Sequence, residues 1–255
     1  MKITVIGSGT GTPSPRRKAP ALLVETGRRK MLFDCGPDTL HGLAEAGCFP
    51  GDLDRVWITH LHPDHSLGIP HLLFACRYSR PPRRRPLEIA GPAGLKRALA
   101  GFRCVYPDWL EAREYELTVR ELAPGRYLDE DIAVTALRVV HGPESLGYRL
   151  CAPGKGILAY TGDSAYCPAL VELGAGADLL VAEASFPAGR AVPGHLTPEL
   201  AGRVAREAGA RELVITHLYP LCDSVDVHAQ AAREFAGRIH VAEDGMTVTV
   251  GEGGT

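Results

Sequence analysis

The sequence predicts an α/β sandwich, with two sheets inside and helices outside. Three observations point there. Short β-branched runs alternate with helical patterns along all 255 residues. Hairpin-like strand pairs are mixed with strand–helix–strand units, which a single doubly wound sheet would not give. No internal repeat and no linker divides the chain, so 1–255 reads as one domain.

The elements follow in order. Strands are expected at 2–6 (KITVI), 21–25 (ALLVE) and 30–33 (KMLF), and a helix at 39–46. The apolar run RVWIT gives a strand at 55–59, followed by a helix at 66–78. A strand at 87–90 and a helix at 93–99 come next, then strands at 132–140, 145–150 and 156–161. A helix at 168–173 and a strand at 178–182 precede a helix at 198–208. Thr197 can cap that helix, and Pro198 suits its first position. A strand at 212–216, a helix at 227–235 and strands at 239–242 and 246–250 complete the chain. Glycine, proline and basic residues mark 7–20 and 79–86 as loops.

Composition narrows the function classes. Apolar residues make up 45%, which is enough for a packed core. A net charge of −2 argues against a general nucleic-acid coat, though a local basic patch can still exist. The opening MKITVI meets Gly7 too soon for a signal core, and no stretch suits a bilayer. Seven scattered cysteines without a CxxC pair read as buried, reduced thiols of a cytoplasmic protein.

The decisive segment is THLHPDH, in which His60, His62, Asp64 and His65 follow the RVWIT run. Ligands gather at the carboxyl ends of strands in open α/β folds, because loops leaving that edge converge. His60 and His62 lie two apart, so an extended backbone aims them the same way. Imidazole and carboxylate are donors that zinc and similar divalent ions accept. Six residues this dense in histidine, with apolar sequence on both sides, have no ready packing explanation. His141, Asp163 and His217 each follow a further strand-like run (IAVTALRVV, GILAYTG and ELVIT).

These residues resemble the metallo-β-lactamase superfamily. So do the glycine-rich opening and the Phe33-Asp34-Cys35-Gly36 turn. The resemblance implies an αββα sandwich, two mixed sheets flanked by helices. It implies that His60, His62 and His141 bind one metal, that Asp64, His65 and His217 bind the other, and that Asp163 bridges. Within the superfamily the chain is most similar to ribonuclease Z and its relatives, through VIGSGTGTPSP, LVAEASF around Glu183, and GHLT at 194–197. Those relatives often form dimers, so a homodimer is expected.

Two divalent ions roughly 3.5–4 Å apart would clamp a hydroxide and polarise a scissile ester. Asp64 is either a plain ligand or also the group that holds the attacking water. By resemblance His195, with Glu183 beside it, reaches the substrate phosphate and helps the leaving oxygen depart; the bland reading is an exposed loop histidine. Asp34 either orients a ligand histidine from behind or serves its own turn. His71 is assigned to the apolar face of its helix, and His41, His228 and His240 to structural or surface roles. The glycines at 7–11 do not bind a dinucleotide, because TPSPRRKAP follows them and its prolines forbid the required helix. Arg77, Arg80, Arg83, Arg84 and Arg85, and the Arg16-Arg17-Lys18 run, are either solvated faces or contacts to a phosphate backbone.

The enzymes that process tRNA grip its body with a protruding arm. By resemblance it would fall between His141 and Asp163, where this chain has room only for a strand, a tight turn and a strand. After His217 the sequence reads LYPLCDS, without the serine and arginine of the tRNA enzymes. The expectation is therefore a phosphodiesterase acting on a small or single-stranded substrate with two divalent ions, zinc by default and manganese or iron acceptable. Alternatives are tRNA 3′ processing, hydrolysis of another ester class (lactone, thioester or β-lactam), and a metal sensor without turnover.

Overall fold

The computed structural model describes residues 1–27, 29–129 and 131–251. Its strands are β1 (Lys2–Gly7), β2 (Ala21–Thr26), β3 (Arg29–Phe33), β4 (Arg55–Trp57), β5 (Leu87–Gly91), β6 (Leu117–Glu121), β7 (Gly125–Asp129), β8 (Ile132–Arg138), β9 (Leu146–Ala152), β10 (Gly156–Tyr160), β11 (Leu179–Glu183), β12 (Glu212–Thr216), β13 (Arg238–Val241) and β14 (Thr247–Thr249). Its helices are α1 (Thr39–Glu45), α2 (Pro63–Ser66), α3 (Gly68–Tyr78), α4 (Leu95–Val105), α5 (Pro168–Gly174), α6 (Pro198–Ala208) and α7 (Val227–Ala232).

The strands form two seven-stranded sheets, ordered β14-β1-β2-β3-β4-β5-β6 and β13-β12-β11-β10-β9-β8-β7. Each is antiparallel in one half and parallel in the other: β1–β2–β3 and β7–β8–β9–β10 pair antiparallel, β3–β4–β5–β6 and β10–β11–β12–β13 parallel. The two-residue period of the strands sorts their side chains between faces. Val24, Met31, Phe33 and Trp57 meet Tyr148, Leu150, Leu158 and Val181 between the sheets. Leu23, Leu32, Val56 and Ile58 pack outward under α1, α3 and α4. Ala159, Leu180, Ala182 and Ile215 pack outward under α5, α6 and α7. These three apolar layers make the αββα architecture. Truncating fully buried Trp57 to alanine would cost about 3–5 kcal/mol.

Helix α6 begins as its sequence dictates. Thr197 Oγ1 accepts from the Leu200 N–H at 3.4 Å, Pro198 opens the first turn, and Gly209 closes the helix with φ +62°. The expected helix at 66–78 is instead two. Leu67 separates α2 from α3, because the Gly68 N–H donates to Cys35 O at 2.7 Å, and a Cβ on Gly68 would sit 2.3 Å from Gly36 O. Strands β6 and β7 were not expected. Both lie at sheet edges, and β6 alternates only twice, with Leu117 and Val119 half-buried against the outer core, too short a pattern to stand out beside the charged residues around it. Helix α4 runs to Val105, beyond the expected 93–99.

His71 is exposed, so the apolar face of its helix does not include it. All seven cysteines are free; Cys104 and Cys151 are exposed, contrary to the expectation of uniformly buried thiols. No helix among the described residues is long and apolar enough to cross a membrane.

Candidate metal centre

The strand ends deliver the site. His60 to His65 follow β4, His141 follows β8, Asp163 follows β10, Glu183 ends β11 and His217 follows β12. Pro63 turns the extended chain at His62 into α2, whose single turn carries Asp64 and His65. Three described residues hold left-handed backbone without being glycine, and two of them, Asp34 (φ 59°) and His217 (φ 57°), belong to this site; the third is Asp108 (φ 61°). Such strain clusters at functional sites.

Three histidines converge on one point. His62 Nδ1 lies 3.1 Å from His60 Nε2 and 3.0 Å from His141 Nε2. Beside them His65 Nε2 lies 3.2 Å from His217 Nε2, and Asp64 Oδ2 lies 3.5 Å from His217 and 3.8 Å from His65. Asp163 reaches both groups. Its Oδ2 is 3.3 Å from His217, 3.9 Å from His60 and 3.8 Å from His141, and its Oδ1 is 3.4 Å from His65.

Hydrogen bonds behind the rings decide which nitrogen carries the proton. His65 Nδ1–H donates to Asp34 Oδ2 at 2.9 Å, and His141 Nδ1–H donates to Gly194 O at 2.9 Å. Ser185 Oγ donates to Glu183 Oε2 at 2.5 Å, so at 2.8 Å it accepts from His217 Nδ1–H. Thr59 Oγ1 donates to Asp34 and therefore accepts from His60 Nδ1–H at 3.0 Å. Four rings are thus left with a bare Nε2 turned inward, the protonation a metal ligand needs. Burial, together with the imidazoles of His65, His141 and His62, pushes the pKa of His60 down to about 2 and keeps that ring neutral.

The donors fit a pair of divalent cations. Bare nitrogens at 3.0–3.2 Å repel unless positive charge lies between them. Tetrahedral zinc–nitrogen bonds would set such nitrogens about 3.3 Å apart. Asp163 Oδ1 is buried without a hydrogen-bond partner among the described residues. Asp163 is 3% exposed and faces rings whose bare nitrogens carry no charge, and a carboxylate buried in that way calls for a cation.

His195 stands at the rim. Its Nδ1 lies 3.0 Å from Glu183 Oε1, and its ring stacks near His217 with centroids 5.9 Å apart. Burial works against charge on His195, but the hydrogen bond and charge of Glu183 outweigh it and raise the pKa. Glu183 is only 1% exposed and also accepts from the Ser164 and Ser185 N–H groups. His195, Glu183 and His217 also lie close enough together for a metal, but the Glu183 carboxylate and His195 Nδ1 already satisfy each other.

Every residue predicted from sequence as a ligand lies in this cluster, and His195 and Glu183 border it. Sequence reasoning missed Ser185, Thr59 and Tyr160, whose hydroxyl donates to Asp34 Oδ2 at 2.9 Å. Ser185 had one legible signal: it lies two residues after Glu183, on the same side of an extended chain. The arginine run divides. Arg83 is 3% exposed, and its guanidinium donates to the carbonyls of Pro50, Leu53, Arg85 and Pro86, so it is neither a solvated face nor a phosphate contact.

A family model described as "Beta-lactamase superfamily domain" matches residues 29–218. A "Ribonuclease Z" of Methanothermobacter thermautotrophicus is 29% identical over 302 residues, covering 98% of this chain and 97% of that protein. That match is longer than the 255 residues here, so the archaeal protein carries segments without a counterpart. Among solved structures, the metallo-beta-lactamase fold protein YhfI of Bacillus subtilis superposes with a TM-score of 0.83 at 28% identity, covering 97% of this chain and 98% of that one. Human tRNase Z, short form, gives 0.80 at 28% identity, with 98% and 99% covered.

Proposed function

The chain belongs to the beta-lactamase superfamily, and from that premise we propose that it is a dinuclear metal-dependent phosphodiesterase of the ribonuclease Z kind. One observation carries the reading: the imidazoles of His60, His65, His141 and His217 each bring a nitrogen within 4 Å of Asp163, whose buried Oδ1 has no hydrogen-bond partner among the described residues. In this reading His60, His62 and His141 would hold one divalent ion, Asp64, His65 and His217 would hold the other, and Asp163 lies within reach of both groups. Zinc suits the mixed nitrogen and oxygen donors, and manganese or iron would accept them.

Two such ions, when bound, supply a nucleophile at neutral pH and polarise the phosphoryl oxygen. The chain's own residues do the rest. Asp64 turns Oδ2 to His217, which leaves its other oxygen to take a proton from the attacking water. His195 donates through Nδ1 to Glu183, so Nε2 is the nitrogen that orients the phosphate and protonates the leaving oxygen. Glu183 is buried behind His195 and Ser185 and acts as a positioning residue through them.

Purified protein with zinc or manganese should hydrolyse bis-p-nitrophenyl phosphate, and His62→Ala should abolish this. Fast lactone or thioester hydrolysis with no phosphodiester cleavage would overturn the proposal. Processing of tRNA 3′ ends is the second reading, favoured by the name of the archaeal relative. Against it, β9 and β10 are joined by a tight turn, with Ala152 paired to Gly156, which leaves no arm to grip a tRNA body.

A further inference from the structure

The segment after His217, LYPLCDS, is where the chain departs from the tRNA-processing enzymes, and it sets a tyrosine beside the metal cluster. Two backbone hydrogen bonds fix it there. The Leu218 N–H donates to Ser8 O at 3.0 Å, and the Tyr219 N–H donates to Ser185 O at 3.3 Å. The chain is thus held between the loop that follows β1 and the loop that follows β11, before Pro220 turns it into a short 3₁₀ helix (Pro220–Ser224). The half-buried Tyr219 ring completes a circuit of four rings. It stacks on Phe186 with centroids 4.5 Å apart and meets His217 edge-on at 6.2 Å. Phe186 meets His195 edge-on at 5.8 Å, and His195 stacks near His217. Tyr219 and His195 therefore both flank the His217 imidazole.

The phenol end of that ring lies on the Asp64 side. Its polar neighbour is the Thr10 hydroxyl, and a Cβ on the adjoining Gly11 would sit 3.3 Å from Asp64 Cγ. Thr10 Oγ1 accepts from the Thr12 N–H at 3.1 Å and gives its own proton toward the phenol oxygen. A phenol has one proton and two lone pairs, so Tyr219 still has its O–H to donate. The charges of Asp64, Asp163 and Glu183 all reach this phenol, yet none of the three carboxylates accepts its proton among the described residues. An unspent donor beside the bridging carboxylate has a use in the chemistry. His195 offers a single Nε2, which cannot serve the leaving oxygen and a non-bridging oxygen at the same moment. We propose that Tyr219 is a further catalytic residue, whose O–H donates to a non-bridging oxygen of the bound phosphate while His195 serves the leaving oxygen. Its proton stays on the phenol throughout; the hydrogen bond steadies the charge that grows on the phosphoryl oxygens. The inference rests on the phosphodiesterase reading and deepens it by adding a donor to the same site.

Tyr219→Phe keeps the stack on Phe186 and removes only the hydroxyl. On bis-p-nitrophenyl phosphate, zinc-loaded Tyr219→Phe should lose about 10- to 100-fold in kcat/KM, the usual worth of a donor to a charged oxygen. Isothermal titration of the same protein with inorganic phosphate should show affinity weakened about tenfold. Elemental analysis should find the same metal content as in wild type. The alkaline limb of the pH–rate profile should keep its position, because the phenol donates without giving up its proton. A limb that moves along with the loss of rate would mean that the ring acts by holding His195 through Phe186, and the inference would be overturned. Unchanged kcat/KM, unchanged phosphate affinity or a loss of bound metal would overturn it as well, and each leaves the phosphodiesterase reading standing. No hydrolysis of the diester by metal-loaded wild type would defeat that reading instead, and the phosphate titration would still decide whether Tyr219 is an anion donor.

Discussion

Asp34 Oδ2 lies 2.9 Å from His65 Nδ1 and so determines that Nε2 is the nitrogen this ring turns toward Asp163. The same carboxylate accepts from Thr59 and Tyr160 and is fully buried. Asp34→Asn keeps the shape but loses the charge and half the acceptors. It should weaken zinc affinity about 10- to 100-fold, as loss of a ring-orienting partner does. Competition against a chromogenic chelator measures it.

Removing the cations should loosen the whole molecule. Ligand held at a hundred times its Kd stabilises a fold by about 2.7 kcal/mol per site. For a chain of this size that corresponds to a melting-temperature rise of about 5–10 °C per site, or about 10–20 °C with both sites filled. Differential scanning calorimetry of chelated and reconstituted protein should show the rise, and elemental analysis should find two metals per chain.

His195→Ala should reduce kcat by about 10²- to 10⁴-fold, the usual worth of a positioned proton donor. Glu183 raises the pKa of His195 against the effect of burial. The protonated ring is the competent form, so activity is present below that pKa and lost as pH rises through it. Glu183→Gln removes the charge that raises it, and the alkaline limb of the pH–rate profile should move to lower pH.

Adjacent arginines should behave oppositely. Arg83→Ala strands four carbonyls that accept from its buried guanidinium and should cost at least about 3 kcal/mol in urea denaturation. Arg84 is 80% exposed in its side chain and pairs with Glu114 at 3.7 Å, so Arg84→Ala should cost less than about 1 kcal/mol.

The clustering of the seven histidine and aspartate residues was legible because metal chemistry restricts residue type and the fold restricts position. Histidine or aspartate recurs just past four strand-like runs, and no packing need explains that. What stayed hidden lacks either restriction. Ser185 is an ordinary serine until Glu183, His195 and His217 surround it. The edge strand β6 shows its two-residue period only at Leu117 and Val119, too briefly to be read. Arg83 looked like its neighbours because a run of like charges does not reveal which member turns inward. The break between α2 and α3 depends on Gly68 pressing against the turn at Cys35, a contact remote in sequence.

The convergence of loops from both sheets has a further consequence. Residues 60–65 leave the first sheet, while His141, Asp163 and His217 leave the second. Neither half of the chain owns a complete binding shell. The cations would act as rivets through the seam between the halves, so a nascent or nicked chain has no high-affinity place to load them. Loading the cations would then require both halves to be docked, and a molecule opened along that seam would lose them before it lost its secondary structure.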